Sequence, residues 1–509
     1  MNRRDFLKSA AAPAALRAAP GTRRPNILFL MADQHRADCT GADGNRVIRT
    51  PNLDGLARDG ALFRHAYSCT PTCTPARAAL LSGLGPWRNG LLGYSRVPEQ
   101  YPIEMPRALR QAGYYTQGIG KMHWHPQRNA HGFHHVLLDE SGRAESPEFR
   151  SDYRAWFWTQ TPNLDPDATG LTFNDYRSAA YALPERLHPT RWTGDAAVHF
   201  LQGYERPEPF FLKVSFARPH SPYDPPQRFF DLYDSADLPR AAVGKWAARY
   251  RERSDSSVNI WHGDMGDAQV RRSRQGYYGS VTLVDEQIGR IVEALDQRGW
   301  LDQTLVVYTS DHGDMTGDHH LWRKSYAYES SARVPMIVRW PSGLAPKDLR
   351  GSVLKQPVEL RDLLPTFLDA AGASGGETLD GRSMLPLLRG KTEGWREFID
   401  LEHDVCYSVE NHWSALTDGA TKYIYHARNG EEQLFDLRRD PGETEDLAGV
   451  AAESPRLRQW RQRLAAHLAP RGEAWVKGGD LRPRPEAIMF SPSYPESLLP
   501  TKFRRARSG

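Results

Sequence analysis

Cysteine is scarce in this sequence: four residues in 509, Cys39, Cys69, Cys73 and Cys406. Four thiols are too few to staple a chain of this length, and a core of this size needs no disulfide framework. Long apolar runs are missing as well. No stretch approaches the roughly 18 consecutive apolar residues that a membrane span requires, so no span is expected. Charge of one sign is scarce once its placement is considered. The net charge of +4 comes from 66 basic and 62 acidic residues, but residues 1–24 hold six basic and one acidic. Without them 60 basic residues face 61 acidic ones, and Lys502, Arg504, Arg505 and Arg507 sit at the other end. The body is near neutral, which argues against nucleic acid as a partner. A composition of 39% hydrophobic and 25% charged residues excludes a disordered or collagen-like chain.

What is present is organised. Residues 1–24 begin with Arg3-Arg4-Asp5-Phe6-Leu7-Lys8, followed by small residues from Ser9 to Leu16. They resemble a twin-arginine export signal, implying an exported bacterial protein, periplasmic or extracellular. Asn26–Ala32 is a continuous apolar run of the kind buried on both faces of a parallel sheet, and similar runs recur at Phe210–Phe216, Thr304–Thr309 and Met336–Val338. Helical patterns lie between them at Leu53–Arg58, Ala76–Leu81, Met105–Ala112, Tyr278–Leu295 and Glu359–Ala371. This alternation predicts an α/β fold with a large, mostly parallel sheet flanked by helices, and ligands beyond the carboxyl ends of its strands. After Gly390 the short runs Tyr407–Trp413, Lys422–Tyr425 and Gln433–Leu437 predict an antiparallel α+β subdomain with a helix over Pro455–Leu468. The expected division is 1–24 leader, 25–390 catalytic domain, 391–480 C-terminal subdomain and 481–509 extended basic tail. Leu138–Pro189, rich in aromatics, reads as an insertion.

The most informative segment is Cys73-Thr74-Pro75-Ala76-Arg77 running into Leu80-Leu81-Ser82-Gly83. Thr74 suits an N-cap and Pro75 a first helical turn, which places Cys73 at a helix N-terminus that favours an anion, with Arg77 one turn in. By itself this could be a low-pKa thiol or a structural cysteine beside a cap. Cys-x-Pro-x-Arg followed by Leu-Leu-Ser-Gly closely resembles, however, the signature of the formylglycine-dependent sulfatases of the alkaline phosphatase superfamily. Further blocks of that family stand in order: Asp33-Gln34, Gly120-Lys121-Met122-His123, Pro219-His220-Ser221-Pro222, Ser310-Asp311-His312-Gly313-Asp314, and Gly317-Asp318-His319 through Lys324. Tyr328-Glu329, Val334-Pro335 and Leu434-Phe435-Asp436-Leu437 with Asp440-Pro441 also fit, so the resemblance spans roughly residues 25–447.

The resemblance implies an alkaline-phosphatase-like fold and a sulfatase in which a maturation enzyme oxidises Cys73 to formylglycine. One hydroxyl of its hydrate attacks sulfur to give a sulfo-enzyme, and the other then expels inorganic sulfate. It further implies that Asp33, Gln34, Asp311 and His312 hold a divalent metal that also meets residue 73. Arg77 and His123 position the hydrate, Lys121 and Lys324 bind sulfate oxygens, and His220 protonates the leaving oxygen. Hard oxygen ligands suit Ca²⁺, with Mg²⁺ or Mn²⁺ as alternatives. The family's commoner pattern has a carboxylate where Gln34 stands and an amide where His312 stands. Gln-plus-His occurs in relatives that include phosphonate monoester hydrolases and choline sulfatases. Cys69 has no arginine four residues on and is not a second modification site.

Residues beyond the sulfate set specificity. His125 and His319 are expected to line the site. Trp156 and Trp158, with Tyr153 and Trp192, could stack on a sugar, and Arg154, with Arg177 and Arg191, could pair with a carboxylate or further sulfate. The alternative is that the aromatics pack the insertion. The expected substrate is a sulfated glycan or small molecule. The rivals are a phosphonate monoester or phosphodiester hydrolase using the same nucleophile, and a non-catalytic glycan-binding protein that kept the fold.

Overall fold

The computed structural model of the protein describes residues 24–375 and 379–500. Of the expected export leader only Arg24, and of the basic tail only the part up to Pro500, fall within the described residues. Eight strands form the main sheet: β1 (Asn26–Asp33), β2 (Ala61–Phe63), β3 (Tyr115–Gly120), β4 (His135–Leu138), β5 (Phe210–Pro219), β6 (Thr304–Ser310), β7 (Met336–Arg339) and β8 (Ser352–Leu354). Their order is β4-β3-β5-β1-β6-β7-β2-β8. Only β7 runs against its neighbours; every other adjacent pair is parallel.

The apolar run in β1 follows from burial on both faces. Ile27, Phe29 and Met31 enter one core, shared with Ala76, Leu80 and Leu81 of the helix Cys73–Ser82 and with Leu363, Leu364 and Phe367. Leu28, Leu30 and Ala32 enter the other, shared with Leu53 and Leu56 and with Val284, Ile288 and Ile291 of the 31-residue helix Asp267–Gln297. A strand covered on both sides has no face for polar residues, so polarity begins only where the strand stops, at Asp33-Gln34.

The C-terminal sheet, β9 (Ile399–His403), β10 (Trp413–Thr417), β11 (Thr421–His426) and β12 (Glu432–Asp436), is antiparallel throughout. Its alternation joins the two parts of the molecule. Leu416, Tyr423, Tyr425 and Leu434 pack under Leu457, Trp460 and Leu464 of the helix Ser454–Leu468. Ile399, Leu401, Trp413, Ala415, Ile424 and Phe435 instead pack on Tyr67, Met315, Tyr326 and Tyr328 of the main body. The stretch after Arg482 also enters the body, burying Phe490, Tyr494 and Leu499 in the main core.

Three local expectations are corrected. The helix carrying Cys73 begins at Cys73, so the N-cap is Thr72, not Thr74. The Thr72 hydroxyl caps nothing, being bonded to Ser325 Oγ at 2.6 Å and His403 Nε2 at 2.8 Å. Tyr407–Trp413 is not a strand; strand pairing begins at Trp413, and β9, unforeseen, supplies the edge of the sheet. Glu359–Ala371 divides into a short strand, a 3₁₀ turn Leu360–Asp362 and the helix Leu363–Ala370.

Candidate active site

The site is assembled where β1 and β6, hydrogen-bonded neighbours, end together. Asp33 closes β1, and Asp311 and His312 follow Ser310, the last residue of β6. The N-terminus of the Cys73 helix is brought against them. Ligand atoms of Asp33, Cys73, Asp311 and His312 all lie within 4.8 Å of one another, and all four residues are buried. His312 Nε2 is 3.1 Å from Cys73 Sγ and 3.6 Å from an oxygen of each aspartate. Its Nδ1 donates to the Gly313 carbonyl at 2.9 Å, which turns Nε2 toward the carboxylates. That outer hydrogen bond is the usual way an imidazole is oriented for a metal.

Gln34 completes the group. Its Nε2 donates to Asp314 Oδ2 at 2.5 Å, so Oε1 points the other way and accepts from Lys324 Nζ at 2.8 Å. The backbone of Gln34 lies in the left-handed region, with φ 70°, a conformation that costs a non-glycine residue about 1 kcal/mol or more. It is held there from both sides: the Gln34 N–H donates to Asp311 Oδ1 at 3.1 Å, and its carbonyl accepts from Tyr277 Oη at 2.6 Å. The donor set of two carboxylates, an amide oxygen, an imidazole and residue 73 fits a divalent cation, with oxygens favouring a hard one.

Cations ring the acids. Arg77, with no exposed surface, donates to Asp311 Oδ2 at 2.8 Å, to the Lys121 carbonyl at 2.6 Å and to Ser215 Oγ at 3.2 Å, and reaches Asp33 Oδ2 at 3.5 Å. Lys121 Nζ is paired with Asp33. Burial opposes ionisation of Asp33, but Lys121, His220, Arg77 and His312 hold its carboxyl well below the usual range. Burial and Asp33 likewise oppose the Cys73 thiolate; Lys121, Lys324 and His312 outweigh them and bring the thiol down to about 7.

His220 follows β5. Its Nδ1 donates to the Ser221 carbonyl at 2.8 Å, and its Nε2 accepts from Lys324 Nζ at 2.6 Å. Burial, then the Lys324 charge, depress its pKa well below the ordinary value. His123, also left-handed with φ 59°, takes its backbone from β3 and has its N–H held by Glu140 Oε1 at 2.9 Å. Burial and the charge of Arg143 push both His123 and Lys121 down.

The structure therefore brings together Asp33, Gln34, Cys73, Arg77, Lys121, His220, Asp311, His312 and Lys324, with His123 beside them. It does not bring His319 there: that ring packs 4.5 Å from Trp246 and 5.3 Å from Tyr328, against the C-terminal sheet. His125 stands 3.8 Å from Glu145. The contacts of Arg154, Trp156 and Trp158 are made within the insertion: Arg154 pairs with Asp167 at 2.5 Å, Trp156 lies 6.2 Å from Tyr153, and Trp158 lies under Arg150. Arg177 and Arg191 are paired with Asp175 and Asp195.

Three residues at the mouth escaped the sequence reading. Phe173 stacks on His220 with centroids 4.3 Å apart. Tyr94, 41% exposed, has its hydroxyl 3.4 Å from His123 Nε2. Arg143 lies 4.3 Å from the Phe173 centroid. The only signal for Phe173 was the aromatic richness of its segment, and Tyr94 and Arg143 stand in no pattern at all.

Residues 25–373 match the family model described as Sulfatase, and residues 317–469 the one described as N-sulphoglucosamine sulphohydrolase, C-terminal. The chain is 38% identical to an arylsulfatase of Clostridium perfringens, over 90% of this chain and 97% of the relative. It is 31% identical to a choline-sulfatase of Rhizobium meliloti, covering 88% and 87%. Among solved structures, a phosphonate monoester hydrolase of Agrobacterium radiobacter superposes with a TM-score of 0.73 at 26% identity, covering 88% of this chain and 96% of that one.

Proposed function

This chain belongs to the sulfatase family of the alkaline phosphatase superfamily and is a sulfuric ester hydrolase; from that premise we propose that it cleaves sulfate esters of carbohydrates through a formylglycine made from Cys73 and a bound Ca²⁺. The observation that carries the reading is the clustering of Asp33, Cys73, Asp311 and His312 within 4.8 Å at a helix N-terminus. Asp33, Gln34, Asp311 and His312 would hold the cation, whose charge offsets that of the sulfate oxygens. Oxidised and hydrated, residue 73 would supply a geminal diol: one hydroxyl would displace the alcohol from sulfur, and loss of a proton from the other would expel sulfate and leave the aldehyde for water to rehydrate.

The chain's own residues supply the rest. Lys121 and Lys324 present ammonium groups to the sulfate. Each is engaged by the protein before substrate arrives, Lys121 with Asp33 and Lys324 with Gln34 and His220, so little reorganisation is needed when an anion replaces those partners. Arg77 fixes the two aspartates. His220 sits between Lys324 and the Ser221 carbonyl with Nδ1 protonated; when Lys324 turns to the sulfate, its charge is offset by the anion and Nε2 is freed to take up a proton and pass it to the leaving oxygen. Cys73 is 1% exposed, so its maturation enzyme acts before the chain has closed over it. The leader would then export an already folded protein.

The carbohydrate reading is supported by the match of residues 317–469 to a sulphoglucosamine hydrolase segment. The Gln34 and His312 positions, with the likeness to a phosphonate monoester hydrolase, favour phosphonate monoester hydrolysis as the second reading. Parallel rates on phenyl sulfate, phenyl phenylphosphonate and N-acetylglucosamine 6-sulfate decide between them; faster phosphonate turnover overturns the sulfate assignment. Mass spectrometry of the tryptic peptide His65–Arg77 from the native host tests the nucleophile, and an unmodified Cys73 overturns it. Activity lost to a chelator and restored by Ca²⁺ in preference to Mn²⁺ or Mg²⁺ is the outcome expected for the metal.

A further inference from the structure

Among the described residues, no acid pairs with the guanidinium of Arg143. Its backbone is fixed in the loop after β4: the N–H donates to the Glu140 carbonyl at 3.0 Å, and the carbonyl accepts from Gln127 Nε2 at 3.3 Å. The side chain has no such ties. All three guanidinium nitrogens are buried, and no oxygen among the described residues bonds any of them. Several other buried arginines are paired with acids, Arg36 and Arg274 with Asp318 and Arg218 with Asp224, whereas Arg484 has two unbonded nitrogens but keeps one contact with His412 Nε2 at 3.3 Å. Glu140, the acid three residues away, gives Oε1 to the N–H groups of Met122 and His123, and its buried Oε2, itself without a hydrogen bond among the described residues, forms no ion pair with Arg143.

The position is as informative as the missing partner. The guanidinium lies 4.3 Å from the centroid of Phe173, and Lys121 Nζ lies 5.5 Å from the same centroid. That ring stacks on His220 at 4.3 Å. Arg143 and the imidazole assigned to the leaving oxygen therefore lie against the same aromatic ring. A guanidinium withdrawn from water without a counter-charge is costly, and its planar fork of donors matches an oxyanion in two-point contact. The scissile sulfate already has Lys121, Lys324 and the cation site. We infer that Arg143 recognises a second anionic group, a carboxylate or another sulfate, carried by the leaving portion of the substrate within one ring of the ester being cleaved. This rests on the reading of the site as a sulfate ester hydrolase and narrows its substrates to polyanionic esters. The same charge works against a quaternary ammonium such as that of choline sulfate, despite the similarity to a choline-sulfatase.

The test compares kcat/KM of wild type, Arg143→Gln and Arg143→Lys on phenyl sulfate, 3-carboxyphenyl sulfate and benzene-1,3-diol bis-sulfate. Effects of the substitution on the shared chemistry cancel in the ratio of each dianionic ester to phenyl sulfate. That ratio is expected to fall about 10- to 100-fold in Arg143→Gln, mostly through KM, and to recover in part in Arg143→Lys. A fall confined to the carboxylate or to the bis-sulfate supports the inference and identifies the group. Equal losses on all three esters overturn it, placing Arg143 on the scissile sulfate, and unchanged ratios overturn it in favour of a packing role. Absence of turnover of every sulfate ester by wild type instead overturns the functional reading.

Discussion

Beneath Cys73 the charged groups answer one another: Arg77 bonds Asp311, Lys121 pairs with Asp33, and Lys324 bonds Gln34 and His220. Beyond the Phe173 ring, the Arg143 side chain has no hydrogen-bond partner among the described residues, and Tyr94 stands exposed beside His123. The floor is held by partners that are the protein's own, so on the proposed reading it would treat every sulfate ester alike. The mouth leaves the Arg143 donors unbonded, and on the inference drawn above discrimination would lie there.

The comparison breaks most sharply at the nucleophile. Cys73→Ala is expected to lower hydrolysis of every ester by at least about 10⁴-fold, since the remaining electrostatic groups have no covalent route to use; loss on some esters only would mean the floor is not common to all. His220→Asn is expected to cost about 10²- to 10³-fold on an alkyl sulfate and much less on 4-nitrophenyl sulfate, whose leaving group needs no proton. Equal losses on the two would remove the acid role. Phe173→Ala, between floor and mouth, is expected to cost about fivefold, in line with a lost ring contact of about 1 kcal/mol, visible in steady-state rates on phenyl sulfate.

The smallest effect lies under the floor. Lys213 of β5 is buried between Phe29 and Trp124, its Nζ 5.7 and 5.6 Å from their centroids. Burial, then the charge of Arg77, bring it down to about 7, against about 10.4 in an unfolded chain. Between those values the unfolded chain holds a proton that the folded one releases, so stability rises with pH there, and the penalty is full below about 7. Lys213→Met is therefore expected to raise Tm by about 2–4 °C near pH 6 and by less near pH 10, as read by thermal unfolding.

Much of this was legible beforehand because the signals are local. An apolar run such as Asn26–Ala32 has few options once both faces are covered, and Asp33-Gln34 and Asp311-His312 mark where strands end. The Cys73 segment carried its own helix and its family resemblance. The errors came where local chemistry was overruled. Thr74 has the composition of a cap, but Thr72 takes the position while its hydroxyl serves Ser325 and His403 from distant elements. His319 sits in a family block, yet its ring is absorbed by the hydrophobic contact with Trp246 and Tyr328. The aromatic residues of the helix Asp152–Gln160 find one another first, with Tyr153 and Phe157 buried against Leu187 and Trp192.

By itself, then, the sequence determined the α/β fold, the family and the residues of the floor, because those depend on periodicity and on fixed spacings along the chain. Only the tertiary structure decided what surrounds them. Which lysine meets which acid, that Phe173 covers His220, and that Arg143 is left without a partner all depend on side chains tens to hundreds of residues apart converging. No local pattern encodes such a meeting; it exists only once β1, β3, β5 and β6 are laid side by side.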